Sequence, residues 1–334
     1  MLSLAFGLSF SDLYQRDGLL RLDIEFVRAL EAVDGALCQR LLEARADPSA
    51  LTPKQESELL IALAPRVDDF IAELFGIVTE VQRLSARHHE LAPLYSCKRL
   101  FVQRKAMHKY KTDAASRFDG AALRGELAQR FGGEFGELAF AQHVTRWQQD
   151  ETAHASELDC ALRYAAWAAL TPEGRAFHAT GVLFKAPHKL DSQHLVTVVA
   201  DSAAGYTAYA AHPDKWRLRE GFKLSDRGTD LVGALDEANY CIWCHEQGKD
   251  SCSKGLREKG ATGKGRAAFR KSAFGVTLAG CPLEEKISEF HKVKTEGLAI
   301  GALAVITVDN PMVAATGHRI CNDCMKSCIY QKQE

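Results

Sequence analysis

Seven of the ten cysteines in this 334-residue chain fall within its last hundred residues. They come as Cys241, Cys244 and Cys252, then Cys281 directly before Pro282, and finally Cys321, Cys324 and Cys328. Thiolates at such spacings point inward together from a turn and the start of a helix, which is what a soft metal or an iron–sulfur cluster requires. A chain of this length buries roughly three quarters of its unfolded surface, so it needs no disulfide staple for stability. The cysteines therefore read as a ligand set first and as a fold second.

The bulk numbers exclude several classes. A formal charge of −1, with 25% of residues charged, gives no reason to expect a nucleic-acid or anionic-membrane partner. Met1 to Phe10 is apolar but has no basic n-region and no small-residue cleavage site, and Asp12 follows at once, so a signal peptide is not expected. The longest apolar stretch, Gly297 to Val308, is too short to span a bilayer. Without secretion the clustered cysteines belong in a reducing compartment, where metal binding is favoured over disulfides, and the cytoplasm is the default.

The first two thirds read as helices, giving a mainly α fold class. Leu20, Leu22, Ile24, Phe26, Val27, Leu30 and Val33 recur mostly at helical spacing. Thr52-Pro53-Lys54-Gln55 opens a second helix, with Thr52 as cap, Pro53 at the first helical position and Gln55 completing a capping box. This helix is expected to run towards His88, with a bend at Pro65. Further helices are expected from Leu94 to about Lys111 and from Phe140 to Leu170. The run Leu195 to Val199 reads as a strand or a buried helix. Residues 212 to 228 are polar and turn-rich and mark a boundary between a helical domain over 1–228, of no assigned role, and a cysteine domain over 229–334. A helix from Thr229 to Asn239 delivers the chain to Cys241.

The order of the cysteines is that of a bacterial ferredoxin run, in which three close cysteines are followed by a fourth before proline. Here Cys241, Cys244 and Cys252 start the run and Cys281-Pro282 carries the fourth-position signature. The 28 residues between Cys252 and Cys281 predict an insertion at about 253–280 that loops out and returns. Trp243 reads equally as a core residue or as a shield against water.

With Cys281-Pro282-Leu283, a helical stretch Ile287 to Val308, Asp309-Asn310-Pro311, Thr316-Gly317 and Cys321-Asn322-Asp323-Cys324 closing at Cys328, the last third of the chain resembles a known module. It is similar to the two-cluster α-helical ferredoxin-like iron–sulfur domain at the front of the glutamate synthase small subunit and of dihydropyrimidine dehydrogenase. The resemblance implies two [4Fe–4S] clusters, one on Cys241, Cys244, Cys252 and Cys328, the other on Cys281, Cys321 and Cys324 and one ligand short. It further implies an electron-transfer module that relays single electrons between a flavin and a distant acceptor. FAD and NAD(P)H would be held by a flavin domain in cis or in trans, because no Gly-x-Gly-x-x-Gly strand–turn–helix occurs in residues 1 to 334 and the chain reads as a fragment or one polypeptide of a split oxidoreductase. An electron-transfer partner or a homo-oligomer follows as a further expectation. No acid–base catalysis is asked of these residues.

The rival reading is a structural zinc module for protein interaction. Zinc spacing accounts for Cys241/Cys244 and Cys321/Cys324 but not for Cys252 or Cys281-Pro282. Weaker signals have plainer explanations. Glu151-x-x-His154 is half of a di-iron pattern without a second copy and reads as a solvated face. His88-His89 reads as a cationic helix end. Lys254, Arg257, Lys259, Lys264, Arg266, Arg270 and Lys271 around Gly260, Gly263 and Gly265 fail the phosphate-loop pattern and read as a flexible basic flap. It would dock an acidic partner or lie near the phosphates of a dinucleotide. Cys38, Cys97 and Cys160 read as buried small apolar residues, and His245, His291 and His318 as neighbours of the cysteines rather than ligands.

Overall fold

The computed structural model describes residues 4–187, 191, 193–202, 205–213, 216, 220–223, 228–258, 267–317 and 321–330. Its longer helices are α1 (Arg16–Val33), α2 (Gly35–Ala46), α3 (Pro53–Phe75), α4 (Val78–Cys97), α5 (Gly120–Phe131), α6 (Glu137–Trp147), α7 (Ala155–Leu170), α8 (Leu231–Tyr240), α9 (Ile287–Thr295) and α10 (Ala299–Asp309). A π-helical stretch, Lys98–Ala106, prolongs α4. The strands β1 (Val198–Asp201) and β2 (Ala208–Ala211) pair antiparallel, with Val198 opposite Ala211, and are exposed along their length.

Local chemistry explains where these helices start and stop. At the head of α3 the Gln55 amide donates to Thr52 Oγ1 (3.3 Å) while the Thr52 amide donates to Gln55 Oε1 (3.0 Å), a reciprocal capping box. The helix runs through Pro65 and stops at Phe75, because Gly76 adopts the left-handed conformation (φ +68°) that ends a helix cheaply only at glycine. The expected continuation to His88 is thereby split in two. His88 and His89 consequently lie inside α4 rather than at a helix end, each Nδ1 paired with the carbonyl four residues back at 2.7 Å. Burial holds His88 below the ordinary histidine pKa. The stretch Ile287 to Val308 is likewise broken into α9 and α10, at Gly297 (φ +88°).

The largest core joins α4, the π-helical stretch and α5 to α7 around Phe101, Phe140, Tyr164, Leu183 and Phe184, and it also takes in Leu235 of α8. Close approach depends on small residues. A Cβ on Gly120 would stand 2.2 Å from the Trp167 indole. At the mouth of this core Glu137, in the first turn of α6, accepts from the amides of Val182 (2.9 Å) and Leu183 (3.0 Å) and faces His178 Nδ1 at 3.4 Å. Burial alone would raise the Glu137 pKa; the bonds from His178, Leu183 and Val182 outweigh it and hold the carboxyl below its ordinary value.

A second core joins α1, α2 and α3 through Leu30, Leu37, Leu59 and Leu63. A third sets Ala64 of α3 against Val293 of α9 and Ala302 and Val305 of α10. There α10 lies directly on α3: a Cβ on Gly301 would meet the Ala64 carbonyl oxygen at 2.6 Å. Buried Asp68 of α3 accepts from the Gly301 amide at 2.7 Å, so a carboxylate from another helix satisfies one of the open donors in the first turn of α10.

The mainly α class stands. The ferredoxin-like iron–sulfur domain expected after residue 228 does not, because among the described residues no three His, Cys, Asp or Glu side chains are grouped so that they could hold a metal ion. No helix among the described residues is long and apolar enough to cross a membrane.

Candidate functional site

The last turn of α8 leads into the first cysteines. Arg99, from the π-helical stretch, donates to the carbonyls of Asn239 (3.2 Å) and Cys241 (2.9 Å), groups that a helix end leaves without intrahelical partners. The chain then turns sharply. Trp243 takes a left-handed conformation (φ +50°), rare for a bulky residue, and its amide donates to Cys241 Sγ at 3.4 Å. The turn Cys244–Gln247 closes on Gly248 (φ +65°), and the short helix Ser251–Lys254 carries Cys252.

The described part of the long insertion folds back on itself. Leu256 donates to Leu278 and Arg270 to Leu256, so three segments run side by side before the chain returns. The return is tight: the Cys281 amide donates to the Cys252 carbonyl at 2.8 Å. Gly280 (φ +86°) allows it, since a Cβ there would lie 2.6 Å from the Ser253 carbonyl oxygen, and its amide donates to Ser327 Oγ. Ser327 closes the short helix Asp323–Ser327, which holds Cys324 and precedes Cys328.

Three thiols from separate segments meet here. The Cys252 thiol lies within interaction range of both Cys244 and Cys328. The interaction with Cys252, helped by the Ser251 amide, outweighs burial and holds Cys244 below the ordinary thiol pKa. Cys252, set beside those two sulfurs and also buried, is pushed well up. Cys244 and Cys252 are buried, Cys328 half-buried. Cys241 stands beside them, its sulfur 3.7 Å from Ser288 Oγ, and burial raises it. Cys281 and Cys324 are also raised by burial, each sensing the charge of Cys321, which is exposed.

These contacts do not make a metal centre. Cys244, Cys252 and Cys328 are neighbours, but no three His, Cys, Asp or Glu side chains among the described residues are grouped so that they could hold a metal ion. This overturns the reading of two [4Fe–4S] clusters on Cys241, Cys244, Cys252, Cys328, Cys281, Cys321 and Cys324. The resemblance to the glutamate synthase and dihydropyrimidine dehydrogenase module goes with it. So do the iron–sulfur electron relay, the zinc alternative and the basis for FAD and NAD(P)H. Cysteine spacing is common to ligand sets and to thiols that bond to each other, so order along the chain could not separate them.

Several contacts around the site were invisible in the sequence. His245 Nδ1 pairs with Ser288 Oγ at 2.6 Å, and Ser57 of α3 donates to fully buried Glu289 at 2.5 Å, tying α3 to α9 beneath the site. Burial holds His245 below the ordinary histidine pKa and pushes His291 down to about 4. Asp250 is pushed up to about 7, chiefly by burial and then by the charge of Glu289. Glu151 pairs with Lys105 at 2.7 Å on the surface. Cys38, Cys97 and Cys160 are buried. His318, and Lys259, Lys264 and Arg266 with Gly260, Gly263 and Gly265, lie outside the described residues.

Comparison with known proteins gives the lineage. Residues 4–76 match the RP005 N-terminal alpha-helical domain. No solved structure matches. The chain is similar over 23 residues, 87% identical, to the uncharacterized protein RP006 of Rickettsia prowazekii (strain Madrid E), a stretch that is 7% of this chain and 3% of that protein. Along nearly its whole length it is similar to the uncharacterized protein RP005 of the same organism, 32% identical over 311 residues that cover 89% of this chain and 100% of that protein. With that identity over a whole relative, the chain belongs to the RP005 family.

Proposed function

We propose that this chain is a thiol–disulfide redox module in which Cys244, Cys252 and Cys328 accept oxidation from a low-molecular-weight disulfide. The observation that carries the reading is the convergence of three thiols from separate segments, Cys252 flanked by Cys244 and Cys328, with Cys244 held below the ordinary thiol pKa and Cys328 half-buried. Proton shifts between these thiols move the charge outward to Cys328. Its thiolate attacks one sulfur of the small disulfide, whose S–S bond breaks and releases a thiolate. That thiolate takes the Cys252 proton, Cys252 attacks the mixed disulfide at Cys328, and the second small thiolate leaves with the site's original charge. Two protein thiols are oxidised and one small disulfide is reduced to two thiols.

Treating the full chain with glutathione disulfide tests this. Intact mass should fall by two hydrogens and peptide mapping should find Cys252 joined to Cys328. Cys252→Ser should block the internal bond, while Cys160→Ser, at a buried and separate cysteine, should behave as the parent. An unaltered thiol count in the parent, or unchanged internal oxidation in Cys252→Ser, would defeat the proposal.

The 23-residue near-identity to a far longer protein favours a second reading, in which the chain works as a subunit beside a polypeptide similar to RP006. One chain here is similar to parts of two Rickettsia prowazekii proteins, and tethering is a means of keeping cooperating parts at high effective concentration. Co-expression with such a polypeptide should yield a complex that stays together through size-exclusion chromatography at micromolar concentration. Separate elution of the two would rule this reading out.

A further inference from the structure

The hairpin of β1 and β2 contributes no residue to the cores described above. Every residue of both strands is exposed, and among the described residues no third strand joins them. An isolated two-stranded hairpin is marginal in water; stability takes three or more strands with an apolar face, or a helix packed on it. Side chains alternate along a strand, so Val198, Ala200, Tyr209 and Ala211 share one face, which is wholly apolar or aromatic. The hairpin therefore has the face of a stable sheet without the strands.

Its two outer edges differ. The His212 amide donates to the Thr197 carbonyl at 3.4 Å, and opposed residues of an antiparallel pair alternate between bonded and non-bonded. Val199 with Ala210 and Asp201 with Ala208 are thus bonded pairs, while Val198 and Ala200 of β1 and Tyr209 and Ala211 of β2 turn their amides and carbonyls outward. On β2 this edge is partly closed, since the Trp216 indole donates to the Ala211 carbonyl at 2.9 Å. On β1 no such cover is present among the described residues. Val198-Val199-Ala200 also has none of the charges, prolines or bulges with which proteins guard an edge against pairing.

Register and charge make a second copy the matching occupant. Outward residues must meet outward residues, and antiparallel pairing of β1 with itself about a twofold axis at Val199 achieves this, setting each Val198 opposite the other copy's Ala200. Each such pair exchanges both of its backbone hydrogen bonds, and the two Val199 side chains meet at the axis. Asp201, the one charge in β1, falls opposite Thr197, so no like charges oppose one another.

We propose that this chain forms a twofold dimer through the free edge of β1, making one continuous antiparallel sheet in the order β2-β1-β1-β2. So short an edge buries less than the roughly 800 Å² per partner of a standard interface, and the dimer is expected to dissociate at about 10–100 µM. The thiols take no part, so the dimer and the redox reading can fail separately.

Sedimentation equilibrium of the full chain from about 5 to 300 µM tests this. The mass should rise from 36.8 kDa toward twice that value, and exchange of the Val198 and Ala200 amides should slow as concentration increases. Val199→Lys, at a residue 45% exposed, places two ammonium groups face to face at the axis and should weaken association about tenfold or more. Ala200→Pro removes an outward N–H that the hairpin itself does not use and should weaken it likewise, both variants keeping the parent's thermal midpoint. Ala210→Lys, whose copies would stand about 14 Å apart across three strand spacings, should associate as the parent does. A monomer at every concentration, parent-like association in both Val199→Lys and Ala200→Pro, or equal loss in Ala210→Lys would overturn the proposal.

Discussion

Asp236→Ala is expected to destabilise the protein by about 3–5 kcal/mol, the usual cost of stripping one partner from a buried ion pair. Lys98 Nζ lies 2.8 Å from both carboxylate oxygens of Asp236, and the two side chains are 8% and 10% exposed. Removing the carboxylate leaves an ammonium in the interior with its main counter-charge gone. The pair joins the π-helical stretch to α8, the helix that ends at Cys241, where Tyr95 Oη donating to the Val232 carbonyl and Arg99 on the helix end also fasten it. Urea unfolding should show a lower midpoint. Lys98→Met combined with Asp236→Leu should recover most of the loss, since a matched apolar pair owes no desolvation. A single variant within about 1 kcal/mol of the parent, or a double variant as unstable as the single, would show that the pair is not what holds α8.

Phe140→Ala should be comparably severe, about 3–5 kcal/mol, through the lost transfer energy and the cavity left behind. The ring is fully buried, 5.2 Å from Phe184 and edge-on to it, with Tyr164, Phe135, Phe101 and Phe131 at 6.1 to 6.3 Å. Edge-to-face pairs add to the area term, so truncation loses both. Hydrogen exchange should rise in α6 and α7, whereas the core of α1 to α3, built on Leu30, Leu37, Leu59 and Leu63, should keep its protection. Loss of protection spread evenly over both cores would mean that they unfold as one unit.

Much of the helical plan was legible before any coordinates. Thr52 and Gln55 announce the start of α3 because a capping box is a contact between residues three apart and needs nothing else. Stops were read less well. Pro65 drew attention in the sequence, yet Gly76 ends the helix, and Gly297 divides what reads as one apolar helix because both glycines adopt backbone angles closed to their neighbours' side chains. His88 and His89 seemed terminal only because the helix boundary was misplaced, and His88 is in fact buried in α4. The exposed pair β1 and β2 contains Val198 and Val199 of the β-branched run, where periodicity alone left strand and helix open.

The cysteines mark the limit of sequence reasoning most clearly. Their spacing by itself singled this region out as a candidate site, and the local signals determined that most of the rest would be helices with particular starts. Only tertiary structure decided that Cys244, Cys252 and Cys328 come together without a metal-holding group among the described residues, and that Ser57 and Asp68 of α3 reach α9 and α10. The reason is one of range. Caps and turns are set by neighbours a few residues away, whereas the direction in which a thiol, hydroxyl or carboxylate finally points depends on partners up to 233 positions distant, as with Asp68 and Gly301, which no spacing rule encodes.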